Sequence, residues 1–514
     1  MASGLRAPVF IIILLIYLAA GALYAILTPN WQAPDEPAHY NYVRYLATQA
    51  SFPELVSSCY DQAYLEHLKS RRFPPELSID QVCYEFHQPP LYYLLATPVF
   101  ILGHGSLLAL RLFSVGLGGG VVALAWAIGR TIFPESEAIS YGTMAFVAFV
   151  PMHVSILASV NNDALAELIV ATLLLLLSRR LLSNHELARS HNLLLGGLLG
   201  LGFITKMTVY IAAPLIAVTL FIEETGRRGS EAVKQPGHSH SWLPFIKQAA
   251  LIYGLALVIG LPWYLRNGFL YGNFDILGLI RHEQVVVGQL RTVDFLTEVG
   301  WATYLNTFIT TTFHSFWGQF GWLAVPMDRR TYLALSLLTL IALGGLLMWI
   351  GEGRVWKKYS SASSVPASLD LSRGQRQALG LMGLTIGSMI VAYGGYNLTF
   401  VQFQGRYLFP ALIPLALFFS LGLNQAFARG RVWWPAGGLG LGLAWVIVTT
   451  GLAGNLDKRA MLLAGLPLAL AVSRAWLARY WLMPATWLLI ACYGGLSFLA
   501  LISPFWFVLP YLSP

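Results

Sequence analysis

Apolar runs of about 20 residues, the length of a helix that crosses a bilayer, recur from residue 8 to residue 505 with only short loops between most of them. A backbone without water around it must satisfy its own amides and carbonyls, so each such run is a helix. Only 11% of residues are charged against 56% hydrophobic, too little polar surface to enclose a water-soluble core, and no segment reads as a separate soluble domain. The expected fold is all-α and integral to a membrane, with about 13 transmembrane helices. The net charge of +8 sits in loops between apolar runs, where it orients a membrane protein, so nucleic acid is not an expected partner.

Charge placement sets the expected topology. Arg6 before the first span, about 8–27, puts the N-terminus in the cytoplasm, and the spans behind it favour an uncleaved helix over a signal peptide. Residues 28 to 105 then lie outside. Within them, the apolar run from Leu91 is short for a span and suits an interfacial helix. Counting it as a span would place Arg130, Arg179, Arg180, Arg189, Arg227, Arg228 and Lys234 outside, against the positive-inside rule. The second and third spans follow at about 106–129 and 138–157, and the fourth begins after Asn162-Asp163 with Glu167 one turn inside, expected to pair within the bundle. Leu193 to Ile222 is too long for one upright helix and crosses twice, turning at Thr205-Lys206-Met207. A second large outer loop covers 266–330, where Phe313 to Trp322 reads as an aromatic interfacial element. A Ser-rich linker at about 351–376 reads as flexible, and further spans include one at about 460–475.

This topology gathers polar side chains from six stretches of the chain at the outer boundary: Asp35, Glu36, His39, Arg44, His87, Asp163, Lys206, Arg266 and Arg406. A carboxylate that takes a proton, beside cations that hold a phosphate, is what transfer of a sugar from a lipid phosphate requires. On this reading Asp35, Glu36 and Asp163 are the catalytic acids. His39, Arg44, His87, Lys206, Arg266 and Arg406 bind substrate and lipid phosphate. Each also has a plainer role: Asp35, Glu36 and Asp163 suit helix starts, and lone cations snorkel to the interface. His39 and His87 could hold a divalent metal with Asp35, but they form no metal-ligand motif, so a divalent metal stays open without support from a motif and no cofactor is assigned. There is no phosphate-cradling glycine loop, which disfavours a nucleotide donor. Cys59 and Cys83 share the first outer loop; a disulfide and two free thiols are both open.

Four stretches resemble the GT-C superfamily of integral membrane glycosyltransferases, in the branch of protein O-mannosyltransferases and the lipid A aminoarabinose transferase. They are Pro34-Asp35-Glu36, His87-Gln88-Pro89-Pro90-Leu91-Tyr92-Tyr93, Asn162-Asp163 and Thr205-Lys206. Gln404-Gly405-Arg406-Tyr407-Leu408-Phe409-Pro410 resembles a motif of related uncharacterised bacterial membrane proteins. The resemblance implies Asp35 as general base and Lys206 at the lipid phosphate. It departs from the aminoarabinose branch at Ala38, where that branch has Arg, and at Gln88, where it has Lys. Residues 1–425, including outer loops 28–105 and 266–330, are then the catalytic module, and 426–514 the C-terminal helices. The expected activity is inverting transfer from a polyprenyl-phosphate-linked sugar to a hydroxyl of a glycan, lipid or protein acceptor, at the outer face of a prokaryotic plasma membrane. A lipid or glycan transporter and a lipid-linked glycan ligase are the alternatives.

Overall fold

The computed structural model describes residues 6–183, 189–234, 242–272, 274–355, 370–428, 433–452 and 485–513, with a few single residues between 461 and 472. The first span is α1 (Arg6–Leu27). After it α2 (Glu36–Gln49) starts with Pro37 in its first turn, where the missing N–H is no loss. The outer loop continues through α3 (Gln62–Ser70), whose start is capped by Asp61 accepting from the Tyr64 N–H at 3.0 Å. A Cys59–Cys83 disulfide closes this segment and settles the pairing that the sequence left open. A 3₁₀ turn at Tyr84–His87 leads into α4 (Leu91–Leu102). Its 12 residues rise only about 18 Å, short of the ~30 Å hydrocarbon core, so α4 does not span.

The bundle continues with α5 (Leu107–Ile132), α6 (Glu137–Phe149), α7 (Pro151–Leu157), α8 (Asp163–Leu182), α9 (Arg189–Phe203), α10 (Ala212–Lys234) and α11 (Leu243–Tyr271). The expected third span is bent: α6 and α7 meet at 64°. Pro151 explains the break, because it removes an amide donor and drives Val150 to extended backbone (φ −69°, ψ 113°). The second outer loop holds α12 (Leu279–Val285), α13 (Thr292–Trp317) and a hairpin of β1 (Gln319–Phe320) and β2 (Val325–Pro326), in register Phe320 to Val325. A helix of 26 residues inside that loop, turned at Gly300 (φ 75°), was not visible in its mixed pattern. Then come α14 (Arg329–Val355), α15 (Arg373–Asn397), α16 (Leu412–Ala426), α17 (Trp433–Leu452), α18 (Ala485–Ser503) and α19 (Leu509–Leu512).

Among the described residues eight helices are long and apolar enough to cross a membrane, or nine if the bent pair is one span. The expected positions of the fourth and fifth spans are filled by α8, with two acids and two arginines, and α9, with 15 residues. The span expected near 460–475 and most of the linker near 351–376 lie outside the described residues. Packing is closest between α14 and α16, where a Cβ on Gly345 would lie 1.9 Å from the Gly422 carbonyl. At the other end of the chain, Arg72 donates to the Ser513 carbonyl and Leu512 packs on Gly321, so α19 lies at the loop-bearing end of the bundle.

Candidate active site

The segment from Trp31 to Glu36 is fixed at both ends. Trp31, in left-handed backbone (φ 67°), accepts at its carbonyl from the Trp322 indole N–H at 3.0 Å. Glu36 is fully buried and takes a bidentate ion pair from Arg111 of α5, Nε to Oε1 at 2.8 Å and Nη2 to Oε2 at 2.6 Å. Arg111 also donates to the carbonyls of Ala25, Thr28 and Pro29, and the Val160 amide donates to Glu36 at 3.2 Å. One guanidinium thereby ties the end of α1, the start of α2 and, through Glu36, the α7–α8 turn.

Asp35, between these anchors, precedes α2 in left-handed backbone (φ 65°, ψ −6°) and makes no side-chain cap. Its carboxylate is therefore free for other work. The Tyr84 hydroxyl donates to Oδ1 at 2.8 Å and Arg406 Nη2 donates to Oδ2 at 2.8 Å. The side chain stays 28% exposed, so a substrate can reach it. Surrounding protein pushes its pKa up, but Arg406, His39 and the two hydrogen bonds outweigh this and hold it below the usual carboxylate range. It is ionised at neutral pH.

Arg406 reaches Asp35 because of the residue before it. Gly405 lies against α13 so closely that a Cβ would meet the Thr312 carbonyl at 2.3 Å, and its amide donates to Ser315 Oγ at 2.7 Å. A second ion pair stands nearby: Lys206, at the turn between α9 and α10, donates to Asp163 Oδ1 at 2.6 Å at the start of α8. His39 links the two pairs electrostatically and shares a 2.8 Å hydrogen bond between Nδ1 and the Tyr93 hydroxyl. Burial lowers the His39 pKa, Glu85, Asp35 and Asp163 oppose this, and Lys206 adds to it. His39 is thus neutral, among three carboxylates and a lysine.

The other expected residues lie apart from these pairs. Arg44 makes an exposed ion pair with Asp80 at 2.6 Å. Arg266 stacks on Trp263 at 4.6 Å and donates to Asn267 Oδ1 at 3.0 Å and to the Pro53 carbonyl. His87 donates Nδ1–H to the Tyr84 carbonyl at 3.0 Å, with its ring 4.5 Å from that of His282; burial pushes both pKa values down to about 4. Glu36 is spent on Arg111. Deeper in the bundle Glu167, expected to pair there, has the imidazole of His153 as its partner, 2.7 Å away. Among the described residues no three His, Cys, Asp or Glu side chains converge as a metal site. Sequence reasoning passed over Tyr84, Glu85 and Arg111, and had Tyr93 only as part of a stretch that carries the family resemblance. Of the three missed, only Arg111 carried a signal, as the single cation in the first turns of an apolar span.

Residues 87–239 match the family model of dolichyl-phosphate-mannose-protein mannosyltransferase. No curated protein sequence matches the chain. Among solved structures, ArnT from Cupriavidus metallidurans bound to undecaprenyl phosphate is similar with a TM-score of 0.52 at 13% identity, over 98% of this chain and 78% of that one. The apo state of the same protein is similar at 0.54 and 13% identity, over 98% and 77%. The oligosaccharyltransferase of Archaeoglobus fulgidus gives 0.44 at 16% identity, over 96% and 55%, a likeness too weak to argue from. The chain shares the fold of ArnT, the kind of fold its resemblance to the GT-C superfamily led one to expect, and residues 87–239 are similar in sequence to the mannosyltransferase family.

Proposed function

We propose that the protein is an inverting glycosyltransferase that moves a sugar from a polyprenyl-phosphate-linked donor to an acceptor hydroxyl at the outer face of the plasma membrane. The observation that carries this reading is the carboxylate of Asp35: partly exposed, ionised, unused as a cap, and paired with Arg406, with the Lys206–Asp163 ion pair nearby. Asp35 takes the proton of the acceptor hydroxyl as its oxygen bonds to the anomeric carbon. The bond from that carbon to the phosphate oxygen breaks on the opposite face, which inverts the centre. Arg406 and Lys206 hold the phosphate and stabilise the charge it gains on leaving, and Asp163 keeps Lys206 placed. A phosphate drawn to Arg406 weakens its hold on Asp35, which makes the carboxylate a stronger base when the donor is bound.

His39 and Tyr93 shape the floor beside these groups, and Glu36 acts through Arg111 as the anchor of the Asp35 loop. Arg44 on α2, His87 in the 3₁₀ turn and Arg266 near the end of α11 support the surrounding structure rather than touching the reacting atoms. The catalytic module spans residues 1–425, with the helices of 426–514 beside it, and the N-terminus faces the cytoplasm. The fold of ArnT, solved with undecaprenyl phosphate, and the lipid-phosphate donor in the matched family's name support the donor class. Purified protein incubated with radiolabelled polyprenyl-phosphate sugars tests it: the reading expects donor consumption with product formation. Movement of intact glycolipid across vesicles without donor consumption would instead mark a transporter.

A further inference from the structure

Glu85 lies in the 3₁₀ turn between Tyr84, which holds Asp35, and His87. The other acids of the site all have protein partners: Asp35 has Arg406 and Tyr84, Asp163 has Lys206, and Glu36 has Arg111. Glu85 is different, because its Oε2 is enclosed by protein and accepts no hydrogen bond. Its charge acts on His39, Tyr84, Tyr93 and His282, and His39 and Tyr84 in turn act on Asp35, so the Glu85 carboxylate stands within electrostatic reach of the groups around Asp35.

An enclosed carboxylate oxygen has given up water without replacement, a cost that a hydrogen-bond donor arriving with a ligand removes. The ligand's phosphate is not that donor, since an anion is repelled by Glu85 and drawn to Lys206 and Arg406. What remains of a sugar-phosphate lipid near Asp35 is the ring with its hydroxyls.

We propose that Glu85 accepts hydrogen bonds from hydroxyls of the sugar to be transferred, and is the residue by which the site tells a sugar-bearing lipid from the bare lipid phosphate. This rests on the donor class argued above. Glu85 forms no covalent bond and takes no proton; its role is specificity.

The test is equilibrium binding of undecaprenyl phosphate and of its glucosyl and mannosyl esters to wild type, Glu85→Gln and Glu85→Ala in detergent, with thermal melting to confirm folding. Wild type is expected to prefer a hexosyl lipid. Glu85→Ala should bind that lipid about tenfold more weakly, with undecaprenyl phosphate changed less than twofold. The near-isosteric Glu85→Gln should show a smaller loss in the same direction and keeps the test valid if the alanine variant melts early. Retention of the hexosyl preference by both variants, or equal weakening of both lipids, overturns the role of Glu85 alone. If wild type binds both lipids equally, sugar recognition by Glu85 is overturned while the lipid-phosphate site stands. If wild type binds neither lipid, the donor assignment falls and Glu85's role with it.

Discussion

Arg111→Met isolates the anchor beneath Asp35. The substitution leaves a carboxylate with no measurable exposure and without its bidentate partner, and removes three further donations to the carbonyls of Ala25, Thr28 and Pro29. Breaking one side of a buried ion pair costs about 3–5 kcal/mol. The Pro29 carbonyl is only partly buried but those of Ala25 and Thr28 are enclosed, so the full range is expected at neutral pH, about 3–5 kcal/mol. Glu36→Gln should cost less, about 2–3 kcal/mol, since the amide still accepts one bond while Arg111 keeps its carbonyls. The double variant should be clearly more stable than the sum of the two losses predicts, by about 1–3 kcal/mol, because it strands no charge. Denaturant unfolding in detergent, followed by tryptophan fluorescence, reads all four corners of this cycle. Additive losses, or an Arg111→Met variant within 0.5 kcal/mol of wild type, would refute the anchor.

Three further outcomes follow from the same geometry. Because Arg406 and His39 hold Asp35 below its ordinary value of 3.8 against the effect of burial, removing the guanidinium lets burial dominate. The acid limb of kcat/KM should therefore lie below pH 4 in wild type and move upward in Arg406→Gln; a limb that stays in place contradicts the pairing. The stability from that pair has the matching sign: full above the ordinary carboxylate value and lost as pH falls through the lowered one. Tyr84→Phe keeps the ring but deletes the 2.8 Å bond to Asp35, and initial-rate assays should show a drop of about tenfold in kcat with the melting temperature little changed. Replacing Cys59 and Cys83 by Ser opens a loop of sequence separation 24, which should cost about 3–4 kcal/mol in denaturant titrations and also slow transfer, since Cys83 adjoins Tyr84.

The legible parts of this fold are those where a local pattern has one physical solution. The run from Leu91 was too short to span, and basic loops on both sides of Leu193 to Ile222 forced a turn at Lys206. Parity of crossings then placed Asp35, Asp163, Lys206 and Arg406 on one face, and they form two ion pairs there. The same argument placed Arg44 and Arg266 on that face, but a shared depth in the membrane does not specify a partner. Arg44 has Asp80, and Arg266 is turned to Trp263 and the Pro53 carbonyl. Tyr84 and Glu85 were illegible for a related reason: their place beside Asp35 depends on a 3₁₀ turn and a disulfide that bring back a polar loop of no clear periodicity. The left-handed backbone at Asp35 also had no sequence signal, since Pro37 predicted the helix start but not that the carboxylate would turn away from capping it.

The most direct test of the account is the transfer rate of Asp35→Asn. The substitution keeps the volume, an acceptor for Tyr84 and a carbonyl for Arg406, and removes the ability to take a proton. Single-turnover assays with a radiolabelled polyprenyl-phosphate sugar that wild type consumes should show at least a hundredfold slower transfer, the usual scale of about 10²–10⁴ for loss of a general base, with donor binding retained. Transfer by Asp35→Asn at the wild-type rate would contradict the assignment of Asp35 as the base.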